Sequence, residues 1–584
     1  MAALVQGLDN YTPRNVGENG NVQLGWSNNI MEKIVQLHFQ LVRSSNHAMF
    51  EEQYNQILSW FHGKENDFIN EFIIAYKLAG FTRDIINGKG EQQLSFTLIW
   101  CLWNHYPTLA LHTINTLFQV KDVQGDVIHP YGSWKDAKYL CKFVKNKIQS
   151  EEHEIIDYII KLSVAQIKKD EINFNSDLPI SLAARWIPRE KSKSFGWIFN
   201  KFSKKLFPQY LASVYDTSRR YTSVKKCKTL ARKLLSKLNR YIDTTQIKQC
   251  EKNWKNIKFN NVTSCTMRKQ KNAFLNLKKK GKTLVEKTVE QDRIDCANNF
   301  KTHIELSKNG SSEHKVHGKR CMVYDLVKDA IEARTQLNQT VIDTVNEQWN
   351  SNKTNNNGLK NIIPMADTSY SMHCDNLIPL YNSIGLSIRV SELCNESFKD
   401  RVMIFDSTPR WCNLSTAKDF VDKVHILNSC SSGLNTNFYK ALTMILDVIV
   451  QNSIPPTEVE NMVLAIFSDM QIDAANRGGM QMNTLYENME VMFRDAGMNS
   501  IFNMPYKPPH ILFWNLRKTN GFPTFSSQEN VTMLSGYNST LLNIFCEKGV
   551  EELKKVTPFV MLENLLNHKR YDTLESAVIN MLEH

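Results

Sequence analysis

The stretch PMADTSYSMHCD, residues 364–375, marks the start of a predicted α/β fold and of a candidate site. It follows an apolar run and places Asp367, Ser369 and Ser371 at alternate positions. Hard cations favour carboxylate and hydroxyl ligands, but Asp and Ser are also ordinary turn residues. The stretch alone therefore leaves two interpretations, a metal site or a polar loop.

Short apolar runs of strand type recur through the rest of the C-terminal region. They are NIIPMAD, DRVMIFDS, NMVLAIFSDM, PHILFWNLR and NVTMLSG, and helix candidates such as TNFYKALTMILDVIVQN lie between them. Strands that are apolar on both faces and alternate with helices indicate a parallel sheet covered on both sides. Residues 361–584 are therefore predicted to form a doubly wound, Rossmann-like α/β domain.

Ligands bind such sheets at the carboxyl ends of the strands, where loops converge. Asp367, Ser369 and Ser371 follow the first strand, Asp469 follows the fourth, and Thr436 precedes a helix. A Mg²⁺ ion takes about six oxygen ligands and keeps some waters. Three hydroxyls and two carboxylates would hold Mg²⁺, or another hard divalent cation such as Mn²⁺, and leave one position for an acid of a partner. The alternative is a vestigial site in which these loops hydrogen-bond one another.

This set resembles the metal-ion-dependent adhesion site (MIDAS) of von Willebrand factor A-type (vWA) domains. The family pattern is D-x-S-x-S, then a distant Thr, then an Asp after the fourth strand; the matching residues are Asp367, Ser369, Ser371, Thr436 and Asp469. The resemblance implies metal-dependent docking of a protein, and it leaves open whether an ion occupies the site. Tyr370 departs from the pattern, since the family usually has Gly there, and a bulky residue at this position is expected to narrow access to the ion.

The region before residue 349 has a helical pattern. Residues 1–20 are polar and rich in Asn and Gly, which predicts a flexible arm. Over residues 21–348, apolar residues recur at three- and four-residue steps, as in residues 29–43, 67–84, 94–107 and 151–169. No fixed period recurs, so we expect antiparallel helix pairs of the α-solenoid kind. This helical pattern continues to residue 289, residues 291–312 are expected to be a loop or an insertion, and the Asn-rich residues 349–360 are the predicted linker.

Blocks along most of the chain resemble an uncharacterised family of large DNA viruses, plants and fungi. The blocks include AGFTRDIINGKGEQQLSF, HPYGSWKDAKYL, PISLAARWIPREKSKSF and VTMLSGYNSTLL. Members of that family join a helical region to a vWA domain, and this layout is similar to that of the Ro autoantigen, which has a helical TROVE ring. The likeness to Ro rests on the R-D-x-x-x-G-K-G-E block at residues 83–91 and on the domain order. It implies a curved, TROVE-like helical scaffold that binds RNA.

The net charge of +12 is distributed unevenly along the chain. Residues 1–360 carry 54 Lys and Arg against 35 Asp and Glu, a net charge of +19, whereas residues 361–584 carry 17 against 24, a net charge of −7. The most basic part is residues 201–290, with 24 basic and 5 acidic residues. A basic module joined to an acidic one indicates a polyanionic partner for the basic part.

Two basic clusters are the candidate nucleic-acid-binding residues: Arg219, Arg220, Lys225, Lys226 and Lys228 in the first, and Lys278, Lys279, Lys280 and Lys282 in the second. Aromatic residues such as Tyr221 and Trp254 lie among them, and aromatic rings can stack single-stranded bases. RNA is favoured over duplex DNA because of the Ro-like layout. The alternative is a solvated helix face.

Other classes of protein are disfavoured. The twelve Cys include no C-x-x-C pair, which indicates reduced, intracellular thiols. No signal peptide or membrane span is evident, so we expect a cytoplasmic protein, in the host cytoplasm if the source is viral. The NGKGEQ segment lacks phosphate-loop spacing, and no G-x-S-x-G or H-E-x-x-H motif occurs, so neither a nucleotide cofactor nor an enzyme is expected.

The sequence thus favours a non-enzymatic scaffold that binds RNA or a ribonucleoprotein. Its basic helical module would hold nucleic acid, and its vWA domain would dock an acidic residue of a partner protein through a divalent ion. The alternative is a purely protein–protein interaction scaffold with no nucleic-acid role.

Overall fold

The structure is a computed structural model that describes residues 2–211, 217–281, 283–352, 361–430, 436–474 and 482–583. Up to residue 352 the chain is mostly helical. The α-helices of this region are α1 (Ala2–Asp9), α2 (Ile30–Gln40), α3 (Ala48–Phe61), α4 (Ile69–Arg83), α5 (Gln92–His105), α6 (Pro107–Thr116), α7 (Trp134–Ile148), α8 (Glu154–Asn175), α9 (Ala183–Trp186), α10 (Gly196–Leu206), α11 (Thr217–Ile242), α12 (Thr245–Cys250), α13 (Ser264–Phe274), α14 (Gln291–Lys308), α15 (Val323–Gln336) and α16 (Gln339–Ser351). Helices α2, α4, α5 and α8 confirm the four helical segments predicted from apolar periodicity.

Helices and strands alternate in the C-terminal region. Its helices are α17 (Cys374–Leu393), α18 (Phe420–Cys430), α19 (Phe438–Gln451), α20 (Pro456–Glu460), α21 (Leu485–Met498), α22 (Leu541–Cys546), α23 (Val550–Leu553), α24 (Pro558–Leu566) and α25 (Asp572–Glu583). The strands of the whole chain are β1 (Arg14–Val16), β2 (Val22–Leu24), β3 (Val120–Lys121), β4 (Val127–Ile128), β5 (Leu277–Lys280), β6 (Thr283–Glu286), β7 (Ile362–Asp367), β8 (Arg401–Phe405), β9 (Arg410–Asn413), β10 (Val463–Ser468), β11 (His510–Asn515) and β12 (Val531–Ser535). Within the described ranges, no helix combines the length and the apolar character needed to cross a membrane.

Strands β7 to β12 form a six-stranded sheet in the order β12-β11-β10-β7-β8-β9. All neighbours are parallel except the edge strand β9, which runs antiparallel to β8. Every residue of β7, β10, β11 and β12 is buried, which requires cover on both faces of the sheet. The five strand segments predicted from apolar runs are confirmed, and the antiparallel edge makes the sheet mixed where a parallel one was expected.

Contacts divide the chain into two compact units. The first unit comprises Met1–Leu78, Asn87–Lys89 and Phe259–His568, and the second comprises Ala79–Ile86, Gly90–Lys258 and Lys569–His584. The first unit therefore contains the sheet together with helices from both ends of the predicted helical module. Within it, α15 packs on α17, and α2 packs on α24 and β12. These units differ from the sequence ranges 21–348 and 361–584, because tertiary contacts join segments that are distant along the chain.

The second unit is helical around one apolar core that is formed mainly by α5 to α11. Two residues of the R-D-x-x-x-G-K-G-E block stabilise it through buried ion pairs. The guanidinium of Arg83 donates to Asp136 Oδ2 at 2.8 Å, and Asp84 accepts from Arg570 at 2.8 Å and from the Tyr571 hydroxyl at 2.9 Å. In this unit the block therefore connects segments that are far apart in sequence.

Two segments differ from the sequence expectation. The lysine-rich segment, residues 277–280 and 283–286, was expected to be helical but forms the paired strands β5 and β6, and Gly281 at the end of β5 has φ +63°. The polar residues 291–308, expected to be a loop, form α14. The N-terminal arm contains α1 and β1, and β1 pairs with β2 just after the arm; the flexibility of the arm stays a prediction. Residues 353–360 of the predicted linker lie outside the described residues.

Candidate functional site

The candidate metal site lies at the point where the strand order of the sheet reverses. Strands β7 and β10 are adjacent and parallel, yet β7 is followed by β8 on one side and β10 by β11 on the other. Loops that leave two such strands diverge, and the crevice between them is where open α/β sheets bind ligands. Asp367 is the last residue of β7 and Asp469 directly follows β10, so the fold brings both predicted carboxylates to this crevice.

Asp367 is completely buried, and hydroxyl groups surround its carboxylate. Its Oδ1 accepts from the Ser369 backbone N–H at 3.0 Å and from the Ser369 hydroxyl at 2.6 Å. Its Oδ2 accepts from the Ser468 hydroxyl at 2.5 Å. The Ser371 hydroxyl lies 3.1 Å from that of Ser369, so the three residues of the D-x-S-x-S pattern form one connected polar cluster.

The other two predicted ligands lie in loops that a segment of the N-terminal region contacts. Thr436 is buried, and its hydroxyl oxygen lies 3.4 Å from Asn19 Nδ2. The same amide group donates to the backbone oxygen of Gln471 at 2.7 Å, two residues after Asp469. Residues 431–435 and 475–481 of these loops lie outside the described residues.

The carboxylate of Asp469 takes part in an ion-pair chain that the sequence did not predict. Its Oδ2 accepts from Arg517 Nε at 2.9 Å, and its Oδ1 accepts from the Gln471 backbone N–H at 3.0 Å. Arg517 also donates to the Glu18 carboxylate at 2.5 Å. Glu18 is held in place because its own N–H donates to the Gln471 side chain at 2.8 Å. Arg517 lies two residues beyond β11, so its position after a strand was the available sequence signal; Glu18 had none.

A third buried carboxylate, that of Asp406, was not predicted from the sequence. Asp406 directly follows β8 and accepts from Arg410 at 3.0 Å and from the Thr408 backbone N–H at 3.0 Å. Its Oδ2 lies 3.5 Å from the hydroxyl of Thr368, the residue that follows Asp367. The same rule that identified Asp367, an acidic residue at the carboxyl end of a strand, could have found Asp406.

The side chains present fit a hard divalent cation. Burial, and then the negative charge of Asp469, raise the pKa of Asp367 to about 7, so an additional cation would stabilise the ionised pair. The oxygen atoms that could act as metal ligands belong to hydroxyl and carboxylate groups, which such cations prefer. Among the described residues, no group of three or more His, Cys, Asp and Glu is placed to hold a metal ion, so an ion here would need the Ser and Thr hydroxyls.

Tyr370 lies at the rim of this cluster. Its side chain is 66% exposed, and its ring packs on His373 with 5.7 Å between ring centroids. The ring therefore does not fill the crevice, although it stands next to the half-buried Ser371.

The two predicted basic clusters belong to different compact units. Helix α11 of the second unit carries the first cluster: Arg219, Lys225 and Lys226 are exposed, and Lys228 pairs with Glu190 at 3.5 Å. The side chain of Arg220 lies outside the described structure. The β5 strand of the first unit carries exposed Lys278, Lys279 and Lys280, of which Lys279 pairs with Glu332 at 2.9 Å. Lys282 lies outside the described residues.

Two family models match the chain, and together they extend over most of it. One, Domain of unknown function (DUF7788), matches residues 361–578, and the other, Domain of unknown function (DUF2828), matches residues 158–352. The first contains the sheet and the candidate metal site. The second contains α11 and the β5–β6 hairpin. A comparison with curated proteins gives no match.

The structure is also similar to the crystal structure of the Deinococcus radiodurans RO (RSR) protein. The match covers 89% of this chain and 99% of that chain, with 10% sequence identity and a TM-score of 0.35. A TM-score of 0.35 does not establish a common fold.

Proposed function

We propose that the protein is a non-enzymatic scaffold, with a vWA-type domain that docks a partner's acidic residue through a divalent ion and a basic region that binds RNA. We further propose that it acts in the cytoplasm. The observation that carries the docking role is the convergence of Asp367, Ser369 and Ser371 with Asp469 at the crevice between β7 and β10.

The chemistry of the crevice suits docking better than catalysis. Asp367, Ser369, Ser371 and Thr436, with Asp469, would hold the ion, and a bound Mg²⁺ or Mn²⁺ would supply an open position for a carboxylate. The Asp367 carboxylate already accepts three hydrogen bonds, and Asp469 is fixed by Arg517. Both acids are thereby held in place by fixed partners, which suits them to orient the ligands of an ion.

Ion binding is tested with Mn²⁺ as the probe, followed by electron paramagnetic resonance of the full chain. Asp367→Asn should weaken Mn²⁺ binding at least tenfold, because it removes the charge at the centre of the cluster. Asp447→Asn is the matched control, since Asp447 is an exposed acid on α19 of the same unit. Equal Mn²⁺ affinity in the wild type and in Asp367→Asn would contradict metal-dependent docking.

RNA binding is supported by the exposed lysines of β5 and the basic face of α11. Phosphate contacts release counterions, so RNA affinity should fall steeply with salt. The ratio of absorbance at 260 and 280 nm after purification at low salt, before and after nuclease, gives a first measurement. Replacing Lys278, Lys279 and Lys280 together by Gln should flatten the salt dependence. Affinity that is independent of salt would refute this part of the proposal.

The alternative is a scaffold that binds proteins alone. It is favoured if Mn²⁺ binds at Asp367 while the purified protein carries no nucleic acid and binds none at low salt. The two measurements are independent of each other, so each half of the proposed function can fail by itself.

A further inference from the structure

The second unit has a further basic surface, separate from the two basic clusters that were predicted from the sequence. Helix α7 carries Lys135, Lys138, Lys142 and Lys145 at steps of three and four residues, which places them along one face of the helix. At a rise of about 1.5 Å per residue the row is about 15 Å long. We call the row and the rings beside it the α7 surface.

Aromatic rings alternate with these lysines. The ammonium group of Lys138 lies 4.8 Å from the ring centroid of Trp186 and 5.6 Å from that of Phe195, and Lys145 lies 4.9 Å from that of Trp197. The rings of the α7 surface are Tyr139, Trp186, Phe195 and Trp197, which are contributed by α7, the end of α9, and the start of α10 with its N-cap. All four pack against the apolar core of the unit and remain only partly buried.

The positive charges of this surface are largely uncompensated. Lys145 pairs with Glu151 at 2.6 Å, but within the described ranges no ion pair joins Lys135, Lys138 or Lys142 to a carboxylate. Burial, and then the charge of Lys135, lower the pKa of Lys138, so the neighbouring cations disfavour one another's charged form. Such a cluster is costly in the free protein, and a bound polyanion would remove that cost.

Two other acids near this surface are engaged elsewhere. Asp136, on the same helix, is buried and pairs with Arg83. Glu190, in the loop that joins α9 to α10, pairs with Lys228 and Arg232 of α11. The same loop carries three further exposed cations: Arg189, Lys191 and Lys193.

We infer that the α7 surface binds single-stranded RNA, with its lysines on the phosphates and its aromatic rings stacked on unpaired bases. The inference rests on the RNA-binding part of the proposed function and gives it a location and a mode. Alternating cations and rings suit a single strand, because stacking requires bases that are free of a partner strand. An acidic polypeptide would use the lysines and leave the rings without a role.

Fluorescence anisotropy of a labelled single-stranded oligouridine, titrated with the full chain at several salt concentrations, tests this inference. Replacing Lys135, Lys138 and Lys142 together by Gln should make the negative slope of log affinity against log salt shallower by about 2, since each phosphate contact on a single strand contributes about −0.7. The matched control replaces Lys161, Lys168 and Lys169 of α8, three exposed lysines of the same unit, and should leave the slope unchanged.

Trp186→Leu tests stacking while it keeps an apolar side chain against the core. It should weaken single-strand binding about tenfold and leave the weaker binding of duplex RNA unchanged. Thermal unfolding by circular dichroism checks that each variant is folded.

The outcomes separate this inference from the function on which it rests. If the wild type binds no RNA, the proposed RNA-binding function fails. If the wild type binds and the α7 variant retains the slope of the α8 control, RNA binds elsewhere and this inference fails. An unchanged affinity of Trp186→Leu, or polyglutamate that displaces the oligouridine as well as unlabelled RNA does, would also overturn it.

Discussion

The protonation of Asp367 gives a prediction about how the stability of the protein depends on pH. Burial and Asp469 raise its pKa from 3.8 to about 7 in the folded protein. Between these values the folded state binds a proton that the unfolded state has released, so the free energy of unfolding falls as the pH rises from about 4 to 7. A difference of about three pKa units corresponds to about 4 kcal/mol lost across this window in the absence of a divalent ion.

Chemical unfolding in urea at pH 4, 5, 6, 7 and 8, with chelator present, measures this loss. Asp367→Asn should remove most of the pH dependence attributable to this group, because the amide cannot ionise. The amide can still accept from Ser369, and the Ser468 hydroxyl can turn to accept from the amide N–H. Equal pH dependence of the wild type and of Asp367→Asn would show that burial of this carboxyl does not control stability.

A divalent cation should restore the stability that the protein loses when Asp367 ionises. Since an ion binds the carboxylate and not the protonated acid, Mg²⁺ should raise the melting temperature of the wild type more at pH 8 than at pH 5. Asp367→Asn should respond weakly at both values, and the exposed control Asp447→Asn should behave as the wild type. A response to Mg²⁺ that is the same at both pH values would refute the assignment of Asp367 as the central acid.

Three further substitutions test how much individual ion pairs stabilise the unit in which each lies. Arg517→Gln leaves the buried Asp469 without its ion pair and should destabilise the protein by about 3–5 kcal/mol, measured by urea unfolding. Glu18→Gln, which removes the half-exposed end of the same chain of ion pairs, should cost less than about 1 kcal/mol in that assay, and a cost equal to that of Arg517→Gln would contradict the ranking. Asp84→Asn disrupts the buried pair with Arg570 and should also cost about 3–5 kcal/mol, visible as a lower melting temperature.

Five of the six strands of the sheet were predictable because they are largely buried on both faces, whereas the partly exposed edge strand β9 was not predicted. Each of the five appears in the sequence as a short, continuous apolar run, and the residue after such a run lies at the carboxyl edge of the sheet. That rule located Asp367 and Asp469. Applied to every strand, the rule would also have indicated Asp406, whose segment DRVMIFDS was identified as a strand.

Part of the site and two elements of the fold were not predictable from local patterns. Arg517 and Glu18 meet through tertiary structure, 499 positions apart in the chain. The buried face of helix α14 includes the polar residues Arg293 and His303 beside Phe300 and Ile304, so its apolar periodicity is weak in the sequence. In the β5–β6 hairpin a lysine run with high helical preference is overridden by Gly281, which adopts a positive φ between two paired strands.

The balance of charge at the carboxyl edge of the sheet bears on whether the site is vestigial. Asp367, Asp406, Asp469 and Glu18 contribute four carboxylates, and Arg410 and Arg517 contribute two guanidinium groups, a formal charge of −2. A vestigial site whose loops only hydrogen-bond one another would gain by losing one of these acids, because a buried carboxyl with a raised pKa lowers the stability at neutral pH. A divalent cation neutralises this charge and removes that penalty. A metal-bound site would therefore be more stable at neutral pH than the same loops without an ion, which is the difference that the Mg²⁺ titration at two pH values measures.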